Sequence, residues 1–362
     1  MIDERLAVWA LSKIEGLGPA GLKLLLDKFG TASAVLNATA NEIVSSEVAS
    51  MNLAQKICVP RNWDDTMRKF EASIPADTNF AAITESNYPA KLKNIADAPP
   101  YLYFRGNLQI FDNPTLAVVG SRQPTDYGRR ITSRLVSELA SAGIVIISGL
   151  AYGIDGVAHQ TVLEVGGITA AVFGCGLDMV YPSGHKAMAQ RIAQSGCLIS
   201  EFPKGTKPER FNFPIRNRIV AGLSDGVLVV EAGSKSGALV TASIALDQGR
   251  DVLAVPGSLD NELSVGPNSL IKQGAVAVTG IDDIFANFGW HKPSEIKEKT
   301  YDLGKLSVDE ASVFNLLSVQ PVHLDEIGRK VNLGPGKTAE ALLNLELKGF
   351  ILRKPGNFVV RL

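Results

Sequence analysis

The chain has 362 residues, enough for two or three domains, and its 46% hydrophobic and 20% charged residues exclude a mainly disordered chain or a small disulfide scaffold. Lys and Arg total 36 against 37 Asp and Glu, a net charge of −1, which excludes a uniformly basic nucleic-acid binder but leaves room for a local basic groove. Cys58, Cys175 and Cys197 lack metal-ligand spacing and sit in or beside apolar runs, so they read as reduced core residues of a cytoplasmic protein. No uncharged apolar run reaches the roughly 18 residues of a membrane span, and the N-terminus opens on acids, unlike a signal peptide.

Residues 1–75 read as a helical domain, from the spacing of apolar residues in LAVWALSKI and GLKLLLDKF. Here GLGPAG (Gly16–Gly21) matches the dinucleotide pattern G-x-G-x-x-G but follows a helix rather than a strand. A helix–hairpin–helix (SAM-like) turn fits better and can turn backbone N–H groups to a phosphate; a plain helical turn is the alternative. The proline-broken stretch after it leads into a sheet, with an edge strand around YLYFRG.

From Thr115 to Phe288 short β-branched runs alternate with amphipathic helices. TLAVVG, IVIISG, ITAAVF, CLISEF, GVLVVE, DVLAVP and VAVTG are continuous apolar strands, which means a parallel sheet covered on both faces. Residues 76–290 are thus expected to form a doubly wound, Rossmann-like α/β domain. HKPSEIKEKTYDLGK is polar, making 291–304 a linker. Residues 305–362 show three helices and then two strands joined by Pro355-Gly356-Asn357, the order of a winged helix. That unit holds 8 Lys/Arg and 6 Asp/Glu, a net of +2, and its third helix mixes Lys337 and Lys348 with Glu340 and Glu346. It reads as a weak duplex binder, for which an assembly role is equally well supported. LGPGKT (333–338) is no phosphate loop, because its required earlier glycine falls on Val331. With scattered histidines and no G-x-S-x-G elbow, neither a metal centre nor a nucleophile is expected.

Ligands of open α/β sheets bind beyond the carboxyl ends of the strands. Those ends carry Gly120-Ser121-Arg122; Ser148–Ala151 with Asp155 and His159; Gly174–Asp178 with Tyr181-Pro182 and Lys186; Glu231 followed by the N-cap pair Ser236-Gly237; and Pro256-Gly257. Small residues there let phosphates approach backbone N–H groups. The sharpest signal is KGTKPERFNFPIRNR (204–218): Lys204, Lys207, Arg210, Arg216 and Arg218 against Glu209 alone, a charge of +4, with Phe211 and Phe213 interleaved and Asn217 between the last arginines. Cations along a backbone and rings stacking on bases are the requirements of single-stranded nucleic-acid binding; a solvated loop with its rings turned inward is the alternative. No acidic residue is placed for a ribose, so no dinucleotide cofactor is expected.

The ordered set VGSR (119–122), SGLAYGIDGVAH (148–159), GCGLDMVYP (174–182), FPIRNRIVAGLSD (213–225), VVEAGSKSGALVTA (229–242) and AVPG (254–257) resembles the DNA-processing protein A (DprA/Smf) family over nearly the whole chain. The resemblance implies a non-catalytic protein with an extended Rossmann-like fold. Such a protein binds single-stranded DNA, dimerises, and helps load the RecA recombinase onto incoming DNA during natural transformation. By position it assigns DNA contacts to Arg122, Lys186, Arg210 and Phe213. Two rival readings are a nucleotide phosphoribohydrolase-like enzyme using Glu231 and a transcription regulator working through the winged helix.

Overall fold

The computed structural model describes residues 2–290, 306–317, 322–331, 333–348, 350–354 and 358–361. The predicted linker lies outside them. The chain forms two compact units, Met1–Trp290 and His291–Leu362.

The first unit is built on nine strands: β1 Asn79–Ala82, β2 Tyr101–Gly106, β3 Thr115–Val119, β4 Val145–Ser148, β5 Thr169–Val172, β6 Cys197–Ser200, β7 Gly226–Val229, β8 Asp251–Ala254 and β9 Val276–Ala277. Their spatial order is β1-β2-β6-β5-β4-β3-β7-β8-β9. The seven predicted strands are β3 to β9, all parallel. Their residues alternate between two cores: Ala117, Val119, Val227 and Val229 face one side, and Leu116, Val118, Leu228 and Val230 the other. Burial on both faces is why these strands read as unbroken apolar runs.

One expectation is corrected. YLYFRG is not the edge: β1 covers it, and Tyr101, Leu102, Tyr103 and Phe104 of β2 are buried. β2 runs antiparallel to both β1 and β6, so these two strands extend the parallel set in the opposite sense. The turn residues around β1 hid a strand only four residues long.

Six helices precede β1, and they share its core. Trp9 packs edge-on against Phe70 at 5.8 Å, Phe70 against Phe80 of β1 at 5.0 Å, and Phe80 stacks on Tyr101 of β2 at 5.0 Å. The boundary at residue 75 is therefore a change in the kind of element within one packed unit. The predicted hairpin joins helices Glu4–Ser12 and Pro19–Phe29, with Gly16 at φ 92° and Pro19 in the first turn. Its cations hold the fold together: Lys13 Nζ donates to Tyr101 Oη at 2.9 Å and Lys23 Nζ to the Ile95 carbonyl at 2.9 Å. Burial lowers the Lys13 pKa, a desolvation cost offset by that bond and by the Trp9 and Tyr101 rings 5.1 and 5.4 Å away.

The second unit comprises helices Val308–Leu316, Leu324–Lys330 and Pro335–Leu347 with a three-stranded sheet, Val322–His323, Phe358–Arg361 and Ile351–Lys354 in spatial order. This is a winged helix, with Phe314, Ile327, Leu342, Leu345 and Val359 at its core; the two-residue strand was not predicted, and residues 355–357 lie outside the description. Of the three cysteines, Cys175 and Cys197 are buried, Cys58 is half-buried, and all are free. No helix among the described residues is long and apolar enough to cross a membrane.

Candidate nucleic-acid interface

The strand order reverses between β3, which continues to β4, and β7, which continues to β8. At such a switch point the loops diverge and leave a crevice. A cleft of about 990 Å³ opens there, lined by the ends of β3 and β4, the loop and helix 208–220, and residues 235–241.

Each wall follows from its local sequence. Gly120 ends β3, and a Cβ there would meet Ile154 at 2.6 Å, so the turn admits no side chain. Beyond β4, Leu150 takes the left-handed conformation at φ 59°, unusual for a branched residue. It is held by its neighbours: Gly149 and Ala151 donate their N–H groups to the Asp155 carboxylate at 3.1 and 3.3 Å, and His185 Nδ1 donates to the Leu150 carbonyl at 2.9 Å. After β7, Ser236 caps helix Gly237–Asp247 by accepting from the Ala238 N–H at 3.3 Å, so the helix's positive end faces the cleft.

Phe213 occupies the centre. The Arg122 guanidinium lies 5.6 Å from its ring centroid, that of Arg216 5.9 Å, and the exposed Tyr181 ring 5.8 Å away at 38°. Gly174 makes room, because a Cβ on it would come within 2.9 Å of the Phe213 ring. The lining cations Arg122, Arg210, Arg216 and Lys235 face Asp155 and Glu209. Arg122, Arg210 and Lys235 make no ion pair among the described residues. The cleft is thus cationic, with an aromatic floor.

Of the residues expected at the site, Gly120, Arg122, Arg210, Phe213, Arg216, Asn217, Ser236 and Gly237 line this cleft. Ser121 does not; its backbone ties the turn to Glu231 and Ile154. Lys186 and Lys207 are exposed but lie outside the lining. The 204–218 segment is not the continuous surface patch that its charge suggested. Arg216 is 5% and Arg218 8% exposed. Arg216 donates to the Val172 carbonyl and faces the buried Asp155; burial lowers the Arg216 pKa and raises that of Asp155, each charge opposing the shift of the other. Arg218 points away, pairing with Glu201 at 2.5 Å and Asp97 at 3.4 Å, so it is a structural ion pair. In the structure its guanidinium is occupied by these carboxylates and does not line the cleft. Lys235 and Tyr181 were not among the expected contacts. Lys235 was findable, since it directly precedes the Ser236 cap at a strand end.

Glu231 has a different task. It is 1% exposed and accepts from the Thr125 N–H at 2.8 Å and Thr125 Oγ1 at 2.5 Å, fixing the start of helix Asp126–Ser141.

Cleft position, lining and the winged helix together define a doubly wound α/β protein whose switch point presents cations and rings instead of a dinucleotide fingerprint. The chain belongs to the DNA recombination-mediator protein A family, the DprA/Smf proteins: the family's pattern matches residues 79–289, and that of the DprA winged helix domain matches 298–357. Protein Smf of Escherichia coli is 41% identical over 79% of this chain and 76% of its own length. The structure of DNA processing protein A from Streptococcus pneumoniae superposes with a TM-score of 0.70 at 34% identity, covering 80% of this chain and all of that one. The Helicobacter pylori protein, whose structure concerns its single-stranded DNA binding mode, superposes at 0.54 with 32% identity over 59% of this chain and 98% of its own.

On the single-strand reading expected from the sequence, replacing Phe213 with Ala should weaken binding by about 1–3 kcal/mol while leaving its salt dependence nearly unchanged, because a stacked ring releases no counterions. The ring is half-buried, so Phe213→Leu serves as a partner that retains apolar volume. Binding isotherms at two salt concentrations, with melting curves for both variants, check this; a loss in Ala that Leu fully restores would make the ring a packing residue.

Proposed function

We propose that this protein binds single-stranded DNA without sequence preference and passes it to the RecA recombinase in DNA uptake, natural transformation and recombination. It acts as a cytoplasmic homodimer with no catalytic step of its own. The observation that carries the reading is the switch-point cleft, where Arg122 lies over the Phe213 ring, Tyr181 stands beside that ring, and Arg210 and Lys235 line the same cleft with no ion pair among the described residues; phosphate charge and stacking require no particular base. The single-stranded DNA binding of the H. pylori relative supports it, and family membership supports the RecA and dimer assignments.

The rivals are less well supported. A phosphoribohydrolase would need Glu231 free to act, yet that carboxylate is buried against Thr125. A winged-helix reader needs free cations on its third helix, where Lys348 pairs with Glu310 at 2.7 Å and Lys337 lies 3.9 Å from Asp309.

A salt series with single-stranded and duplex DNA tests the reading. With about four phosphates neutralised by Arg122, Arg210, Lys235 and a neighbouring cation, log K should fall against log salt with a slope near −3, or roughly fiftyfold between about 50 and 200 mM. Arg122→Ala with Arg210→Ala should flatten that slope by about 1.4. A chain ending at residue 290 should bind single strands within about tenfold of the full chain. The cut belongs there and not at 76–290, because removing residues 1–75 would strip the Trp9–Phe70–Phe80 packing. A slope near zero, or tighter binding to duplex, overturns the assignment.

A further inference from the structure

A second cleft, of about 680 Å³, lies between helices Asp126–Ser141 and Ile154–Glu164, and no residue of the single-strand reading beyond Arg122 belongs to it. We propose that it is a second nucleotide subsite, which receives the continuation of the strand held at the switch point. The inference rests on that reading and deepens it, giving the strand a path and a direction of exit across the protein.

Three observations carry the path. Arg122 lines the switch-point cleft and this one. Between them lies a small hollow bounded by Arg122, Tyr152, Tyr181, Phe213 and Arg216 together with Gly149, Ala151 and Pro182, so the route from Phe213 to the second cleft runs past three rings and two guanidinium groups over small residues and a proline, and meets no acid. The backbone beneath the route is close-packed glycine: Gly153, at φ 81°, could carry no Cβ without striking Ser121 and Arg122, and a Cβ on Gly156 would meet His185 at 2.8 Å. Larger residues there would rebuild the wall along which the strand runs.

The second cleft repeats the chemistry of the first. Tyr152 is 52% exposed, a large ring left in solvent, and His185 braces it edge-on at 5.1 Å and 75°. His185 is itself anchored to the Leu150 carbonyl, so the ring is held before any ligand arrives, which lowers the ordering cost of stacking. Arg129 is exposed on the opposite wall and has no ion-pair partner among the described residues. The one acid of the lining, Glu164, accepts from Gln160 Nε2 at 2.6 Å. A ring beside a free guanidinium is the pairing that holds one base and one phosphate.

The test is a length series, using full-length protein and oligothymidylates from about 4 to 20 nucleotides. For Tyr152→Ala and Arg129→Ala, affinity should match the parent at the short end and fall behind as length grows, reaching roughly tenfold or more at the long end. Arg129→Ala should also flatten the salt slope for long oligomers by about 0.7, and Tyr152→Phe should behave like the parent. Phe213→Ala should lose affinity at every length. Long-oligomer affinity equal to the parent's in both Ala variants, or an equal loss at all lengths, would overturn the second subsite and leave the first intact. A parent that binds no oligomer of any length would overturn the single-strand reading and the subsite with it.

Discussion

Arg218→Ala should destabilise the protein by about 3–5 kcal/mol, the range for removing one partner of a buried ion pair. Arg218 and Glu201 are 9% and 13% exposed at their side chains and sit 2.5 Å apart. Burial already raises the Glu201 pKa, and the Arg218 charge is the largest influence holding it down. Without the guanidinium, the Glu201 carboxylate must stay charged in an apolar setting or take up a proton. The loss should therefore be larger at neutral pH than in acid. Denaturant unfolding of Arg218→Ala, Glu201→Leu and the double variant measures it; the double variant should recover much of the loss, because no buried charge is left alone. If Arg218→Ala unfolded with the parent and lost only DNA affinity, the residue would be a DNA contact after all.

The second large effect is on acid stability. His159 is fully buried, with Nδ1 2.8 Å from Thr169 Oγ1 and Nε2 without a partner. Desolvation, then the nearby His185 and Arg216, lower its pKa from 6.5 to about 3. Because the folded pKa lies below the unfolded one, the unfolded chain binds the proton first. The neutral ring's contribution is therefore intact above about pH 6.5 and is lost as pH falls towards 3, at about 1.4 kcal/mol per unit. At pH 5 that amounts to roughly 2 kcal/mol. Asp155, whose carboxyl burial pushes up, works in the opposite sense at lower pH, so the informative quantity is the difference between parent and variant. His159→Gln should show a shallower decline in unfolding free energy between about pH 7 and 5; an unchanged decline would assign the acid sensitivity to other groups.

These two residues show where the sequence is transparent and where it is not. His159 follows a strand end in SGLAYGIDGVAH, and Arg218 closes the most basic stretch of the chain, so both look like site residues. Within helix Asn212–Gly222, however, Arg216 and Arg218 are two positions apart and so project about 200° from one another. One reaches under Phe213, the other reaches Asp97 and Glu201. The helix has buried residues around most of its circumference, leaving no apolar stripe from which to read its rotation. Tyr152 was equally hidden, since its exposure depends on how His185 packs after a separate strand.

The sequence by itself determined the seven parallel strands, their connecting helices, the winged-helix order and the family, because apolar periodicity and turn residues act over a few neighbours and long motifs keep their order along the chain. It also pointed to the strand ends, where Arg122, Arg210 and Phe213 line the cleft. The tertiary structure alone decided which cations meet solvent and which are consumed in buried pairs, that β1 covers β2, and that the N-terminal helices share a core with the sheet. Each of these depends on partners well separated in the chain: Arg218 on Asp97 and Glu201, Phe80 on Tyr101, and Trp9 on Phe70. A side chain's charge is written locally, but the desolvation and pairing that set its role come from whatever the fold brings against it.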